Sequence, residues 1–383
     1  MRILYIISSL HHAAGMERVT MNKVYYLSQL PNYTITILTL DQNHRPYFFT
    51  PPPNVKIVDL NINFSEYETK GIISKIISFI RKKKLLKKRL EEFLKENPQD
   101  IVISLVLKSS DFLYKINDGS KKIIEHHFSR EYGTQFSSEL NRGKFSTFIY
   151  KIREKYEYKH LQLVDKFVVL TQEDAQLWGK NFRNLCVIPN SITKTDITST
   201  PILENKIVIA VGRLEPQKGF DILINIWKDI IPSHKGWELH IYGEGSKKQP
   251  LESQIKQNGL ENSIKIFPPT HQIHKKIQNA SIFTLTSRFE GLPMVLLESM
   301  SLGIPCIAFK CKCGPSDIIN DNIDGFLIEE GNITEFSKKL AYLMDSKKER
   351  MRISKNALIN IQRFSEEKVM QQWLNLFNDI TKI

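Results

Sequence analysis

Two domains are the natural expectation for a chain of 383 residues, and 41% hydrophobic with 25% charged residues is ordinary for a soluble globular protein. No run of eighteen apolar residues occurs, which excludes a membrane-spanning helix. The net charge of +13 is uneven: residues 1–200 carry 30 Lys and Arg against 20 Asp and Glu, and the remainder 24 against 21. The N-terminal half therefore favours an anionic partner, with nucleic acid, an anionic membrane surface and a phosphorylated substrate as candidates.

The opening MRILYIISSLHH is a short apolar run with no small-residue cleavage site after it. It reads as a strand rather than a secretory signal, and a cytosolic protein is expected. After the strand at 2–8 comes a loop containing Gly15, then a helix over about 16–30. Residues 34–40, 55–60, 100–105, 121–125 and 166–170 read as further strands, short, β-branched and bounded by turn residues. Helical segments separate most of them, which implies a parallel sheet covered on both faces.

One of those helices, over about 72–94, carries RKKKLLKKR at 81–89, seven cations in nine residues. Ile72, Ile76, Phe79, Leu86, Leu90 and Phe93 fall on one helical face, with Lys83 interrupting it. Two readings stand: a surface helix with a solvated basic side, or docking on an anionic bilayer. Nucleic acid is disfavoured, because no recognition motif or stacking-aromatic pattern accompanies the charge.

The alternation fades at 194–205, where an interdomain linker is expected. It restarts with strands at 206–211, 238–242, 263–267, 281–285 and 305–309, and the chain closes with an amphipathic helix at about 366–380. The expected fold is α/β: two doubly wound Rossmann-like domains, 1–195 and 205–365, facing a central cleft at the carboxyl ends of their strands.

SRFEGLPMVLLESM, residues 287–300, follows the strand at 281–285. Pro293 suits the first turn of a helix that Gly303 ends. Glu290 then sits at the positive end of that helix, at the rim, and Glu298 lies more than a turn inside it. The free N–H groups between them suit an anion. A bound diphosphate ester fits, with Glu298 accepting from ribose hydroxyls and Glu290 from a sugar hydroxyl. The bland alternative is one glutamate favouring the helix dipole and the other on an exposed face. VGRLEPQKGFD, residues 211–221, places Arg213 and Lys218 in a strand-to-helix loop at the same sheet edge, where two cations stabilise a leaving diphosphate. The dinucleotide fingerprint G-x-G-x-x-G is missing: the first strand is followed by a single glycine, and Gly243 and Gly245 supply only G-x-G. The four cysteines read as reduced, inert thiols; Cys311 and Cys313 lack zinc spacing.

VGRL-x-x-x-KG-x-D, the IYGEG turn with Gly243, the Glu-x7-Glu stretch, GPSDII at 314–319 and the DGFLI turn at 324–328 together resemble the family 4 glycosyltransferases of the GT-B fold, over nearly the whole chain. The resemblance implies transfer of a sugar from a nucleotide donor with retention of configuration. Arg213 and Lys218 would hold the diphosphate, Glu290 the donor sugar and Glu298 the ribose. Gly15, Gly243, Gly291, Leu292, Pro293 and Met294 would complete the donor site. The segment 124–127 resembles the family's active-site histidine segment; His126 is the better match and His127 its rival. The final helix, 366–383 with Trp373, resembles the family's crossing helix, which packs back onto the first domain. The preceding glycine of the family's N-terminal loop is alanine here. No Asp-x-Asp occurs, so no metal and no cofactor are expected.

The expected activity is hexosyl or N-acetylhexosaminyl transfer from a nucleotide-diphosphate sugar, UDP ahead of GDP. The expected acceptor is a glycan or a polyprenyl-diphosphate-linked acceptor, in capsule, O-antigen or lipooligosaccharide synthesis at the inner face of the plasma membrane. A nucleotide-sugar 2-epimerase and a non-catalytic sugar-nucleotide-binding protein are the alternatives.

Overall fold

A computed structural model describes residues 1–12, 15–64, 72–131, 155–156, 159–179, 181–192 and 201–381, with backbone alone at 72, 73, 75 and 76. The described strands form two sheets whose paired strands are all parallel. The first holds β1 (Arg2–Ile7), β2 (Thr34–Thr39), β3 (Lys56–Asp59), β4 (Ile101–Ser104), β5 (Lys121–His126), β6 (Lys166–Val169) and β7 (Leu185–Val187), in the order β3-β2-β1-β4-β5-β6-β7. The second holds β8 (Ile207–Val211), β9 (Glu238–Tyr242), β10 (Ile264–Phe267), β11 (Ile282–Leu285), β12 (Cys306–Lys310) and β13 (Phe326–Glu329), in the order β10-β9-β8-β11-β12-β13.

Burial on both faces explains the near-continuous apolar strands. In β1, Leu4 and Ile6 join a core with Leu86, Leu90 and Phe167, while Ile3, Tyr5 and Ile7 join the opposite core with Met21, Trp373 and Phe377. Those last two residues belong to the final helix, Glu366–Thr381, which therefore packs on the first sheet. Full burial of a side chain such as Phe377 contributes about 1.5–3 kcal/mol, which anchors the helix. In each sheet the strand order reverses beside the first strand, between β1 and β4 and between β8 and β11. Loops leaving β1, β8 and β11 thus emerge at the two topological switch points, where doubly wound sheets place ligands.

Two expectations need correction. Residues 326–328, read as part of a turn, belong to edge strand β13 and pair with β12, and β7 is a further edge strand; both are too short to show a clear period. The basic helix, Ile72–Glu96, buries Leu86, Leu90 and Leu94 but leaves Phe79 exposed beside Ile77 and Ile80. Its cations are also partly spent on the protein: Lys82 is buried and donates to the Asn63 carbonyl, Arg89 donates to the Leu60 and Asn61 carbonyls, and Lys83 lies 2.7 Å from Asp111. Residues 194–200, most of the polar stretch at 194–205 read as a linker, lie outside the described residues. Beyond them Leu203 is buried, and its carbonyl accepts from Arg350 Nε and Nη2 at 3.1 and 3.0 Å.

Candidate active site

The chain leaves β11, passes through 286–293 and enters the helix Met294–Ser301. Pro293 is its N-cap and has no N–H to leave unpaired. The first closed turn runs from Leu296 N–H to the Pro293 carbonyl at 3.0 Å, so the N–H groups of Met294 and Val295 precede it. Gly303, at φ 71°, ends the helix.

Glu290 is buried rather than held at a solvent rim. Its Oε1 accepts from Lys218 Nζ at 2.6 Å and from Ser287 Oγ at 2.6 Å, which is how the carboxylate can be buried at all. Lys218 arrives on the loop after β8. That loop is locked to the loop after β11: a side chain at Gly219 would reach within 2.0 Å of the Thr286 carbonyl, and Thr286 Oγ1 donates to the Gly219 carbonyl at 3.0 Å. Gly219 also holds φ 63°, a left-handed conformation that suits glycine. Arg213 is exposed and donates to Gln217 Oε1 at 3.2 Å; Gln217 in turn donates to the Phe289 carbonyl at 3.0 Å. Gly243 packs directly against the Gly212 carbonyl, joining the ends of β9 and β8.

Glu298 is not on an exposed face: its side chain is 4% exposed. Its Oε1 accepts from Arg18 Nη1 at 2.6 Å, and His274 Nε2 approaches Oε2 at 3.6 Å. Burial opposes the charge, but His274 and Arg18 outweigh it and hold the carboxyl below its ordinary pKa. Arg18 belongs to the helix after β1, Gly15–Ser28, so this pair joins the two sheets' site loops. Nearby, Gly15 faces the Met294 side chain at 4.0 Å from where a Cβ would stand. Gly291 lies so close to His127 that a side chain there would come within 2.3 Å of its carbonyl oxygen. Gly15, Glu290, Gly291, Met294, Glu298 and Lys218 thus gather around one junction. Arg18, His274 and Ser287 join them and were not assigned from sequence; Arg18 lies near the start of its helix, but nothing local says what it meets.

This arrangement presents cations beside two buried carboxylates at the open ends of two parallel sheets. A family profile described as Glycosyl transferases group 1 matches residues 193–380. The amylovoran biosynthesis glycosyltransferase AmsD of Erwinia amylovora is 30% identical over 388 residues, spanning 98% of this chain and 99% of that protein. The chain belongs to the group 1 glycosyltransferase family. The lipopolysaccharide 1,6-galactosyltransferase of Salmonella typhimurium is 30% identical over 266 residues, 68% of this chain and 69% of that one. Among solved structures, a mutant of S. aureus TarM in complex with fondaparinux, α-GlcNAc-glycerol and UDP matches with a TM-score of 0.79 at 18% identity, covering 98% of this chain and 99% of TarM. At that identity the likeness is one of fold, and the fold is GT-B.

The glycosyltransferase keeps a second buried polar cluster under the junction, at the end of β5. His126 sits among the rings of Trp178, Phe167 and Phe128, at centroid distances of 5.8, 6.1 and 6.4 Å, and its Nδ1 has no hydrogen-bond partner among the described residues. Burial, with His127 adding repulsion, lowers its pKa to about 3, so the imidazole is neutral at ordinary pH. Glu125 points to the other face. It accepts from Lys23 through both oxygens, and His127 Nε2 lies 3.0 Å from Oε1. Burial pushes the Glu125 carboxyl up, yet Lys23 and His127 prevail and bring it down to about 2. Trp373 of the final helix covers Lys23, with Nζ 4.7 Å from the ring centroid. No sequence period marks Lys23 or Glu125, since each is one polar residue inside an apolar face.

Proposed function

We propose that this glycosyltransferase moves a hexosyl or N-acetylhexosaminyl group from a UDP-sugar to a polyprenyl-diphosphate-linked glycan acceptor, with retention, in synthesis of a surface polysaccharide. The observation that carries the proposal is the Lys218–Glu290 contact of 2.6 Å at one switch point. It puts a cation suited to a leaving diphosphate beside a carboxylate suited to a sugar hydroxyl. Lys218 has three donors, so it can serve Glu290 and a phosphate oxygen together. Arg213, exposed on the same loop, adds the second positive charge. Glu298 then takes the ribose, and Gly15, Gly243 and the backbone of Gly291, Leu292, Pro293 and Met294 line the donor. The neutral His126 stands beside the segment that faces the transferred sugar. UDP in the TarM complex and the galactosyl transfer named for the Salmonella relative support the choice of donor class.

In the proposed reaction the acceptor oxygen bonds to the anomeric carbon on the face from which the phosphate oxygen departs. The acceptor's proton passes to that phosphate oxygen. Lys218 and Arg213 bear the charge left on the diphosphate, and no metal is required.

Among the described residues no helix is long and apolar enough to cross a membrane. The basic helix supports docking on an anionic inner-membrane surface instead, because exposed Ile77, Phe79 and Ile80 lie next to exposed Arg81, Lys84 and Lys88. Calorimetric titration of the metal-free protein in EDTA with UDP, GDP and NAD tests the donor assignment. UDP alone should bind. A folded protein that binds none of the three overturns it. Transfer to a glycan acceptor then separates this reading from an epimerase.

A further inference from the structure

The face taken by each residue at the end of β5 is set by strand alternation. His126 turns to the Phe167–Trp178 side. Ile123 and Glu125 turn to the other side, toward the first helix and Tyr5, and His127 follows them, with its ring next to Glu125. The His127 carbonyl abuts Gly291, the neighbour of Glu290. His127 therefore spans from a buried charged pair to the loop that carries a proposed sugar ligand. The pair itself is unusual. Lys23 and Glu125 are both buried within an apolar core, and two ions there gain little stability over two apolar residues of similar size. Its geometry toward His127 supplies the missing reason.

We infer that Glu125 is a positioning residue that fixes the His127 imidazole at the transfer site, with Lys23 as its buried counter-ion. Glu125 has oxygens enough to hold Lys23 and accept one imidazole N–H. Nε2 lies within reach at 3.0 Å, though its N–H is not aimed along that line. A ring rotation that aims this N–H at Oε1 would complete the bond. The proton then resides on Nε2, and Nδ1 becomes an acceptor for a hydroxyl. Trp373 closes the cluster from the final helix, so that helix supports the reacting end of β5 as well as the sheet. The role in catalysis rests on the glycosyl-transfer reading above; the tautomer does not.

The test uses full-length protein labelled with nitrogen-15 at histidine, with long-range proton–nitrogen spectra assigning the His127 tautomer. Wild type should show the Nε2–H form. Lys23→Met/Glu125→Leu replaces the pair by apolar residues and should lose that preference. Lys23→Met/Glu125→Gln keeps an acceptor and should restore it. Release of UDP from UDP-glucose, UDP-galactose and UDP-N-acetylglucosamine is followed in parallel. For the sugar that wild type turns over, kcat should fall at least tenfold in the Leu variant with KM within about twofold, and recover in part in the Gln variant. An Nδ1–H tautomer in wild type overturns the inference, as does a folded Leu variant with unchanged tautomer or kcat. If wild type releases UDP from none of the three, the donor reading fails on its own, and the tautomer still decides whether Glu125 fixes His127.

Discussion

Arg18 Nη1 lies 2.6 Å from Glu298 Oε1, and this contact ties the helix after β1 to the helix after β11. A carboxylate this buried depends on its partner. Arg18→Gln alone should destabilise the protein by about 1–3 kcal/mol in urea unfolding, because the buried carboxylate loses the hydrogen bond and charge of Arg18. Arg18→Gln/Glu298→Gln should cost less than the sum of the single changes, with a coupling of about 0.5–3 kcal/mol. Additive effects would mean that the pair holds nothing together.

Lys218→Ala and Glu290→Ala should each lower kcat by about 100-fold or more, the scale of removing one charge-stabilising group from a reacting centre. Circular dichroism should show both variants folded. Lys218→Ala should also weaken UDP binding more than Glu290→Ala does, since the proposed function assigns Lys218 to the diphosphate and Glu290 to the sugar. Near-normal turnover by both would remove these residues from the site.

Membrane docking, if it uses the basic helix, should depend on the cations that face solvent. Arg81→Gln/Lys84→Gln/Lys88→Gln should reduce co-sedimentation with vesicles rich in anionic lipid, by roughly 1 kcal/mol per charge. Lys82 and Lys83 are engaged inside the protein, so changing them should cost stability instead. Equal binding by wild type and the triple variant would return the helix to an ordinary surface role.

Acid should erode stability in two overlapping windows. His126 has a folded pKa of about 3, below the usual 6.5, so the unfolded state binds a proton first. Its contribution is present above pH 6.5 and is lost as pH falls from 6.5 toward 3, at up to about 1.4 kcal/mol per pH unit. Glu125, lowered to about 2, adds a loss between about 4.5 and 2. Asp174 acts in the opposite sense: burial outweighs the N–H groups of Arg130 and Trp178 and raises its pKa to about 6, so it favours the folded state more as pH falls from 6 to 3.8. His126→Phe keeps an aromatic ring in the cage and should flatten the first window alone. The informative quantity is the wild-type minus variant difference in urea stability between pH 7 and 4.5; a difference independent of pH would show that His126 titrates normally.

Much of the fold and part of the site could be read locally. Short β-branched runs alternating with helical segments marked eleven strands, because a strand covered on both faces is largely apolar. Gly291, Pro293 and Gly303 bounded the site helix by backbone chemistry that acts within a few residues. Arg213 and Lys218 were placed on the loop after β8 for the same local reason. The edge strands β7 and β13 escaped, since three or four residues carry no clear period.

What the residues meet was decided only in three dimensions. Glu290 looked like a rim carboxylate until Lys218, 72 positions away, closed on it. Glu298 finds its partner 280 positions earlier, and Glu125 finds Lys23 102 positions away. Along the chain, sequence alone determined the strand–helix order and the chemical types at each loop, because backbone preference and side-chain period are short-range. The tertiary structure chose the ion pairs, because a charge taken out of water must be matched by whatever the packing of two separate sheets brings within about 3 Å.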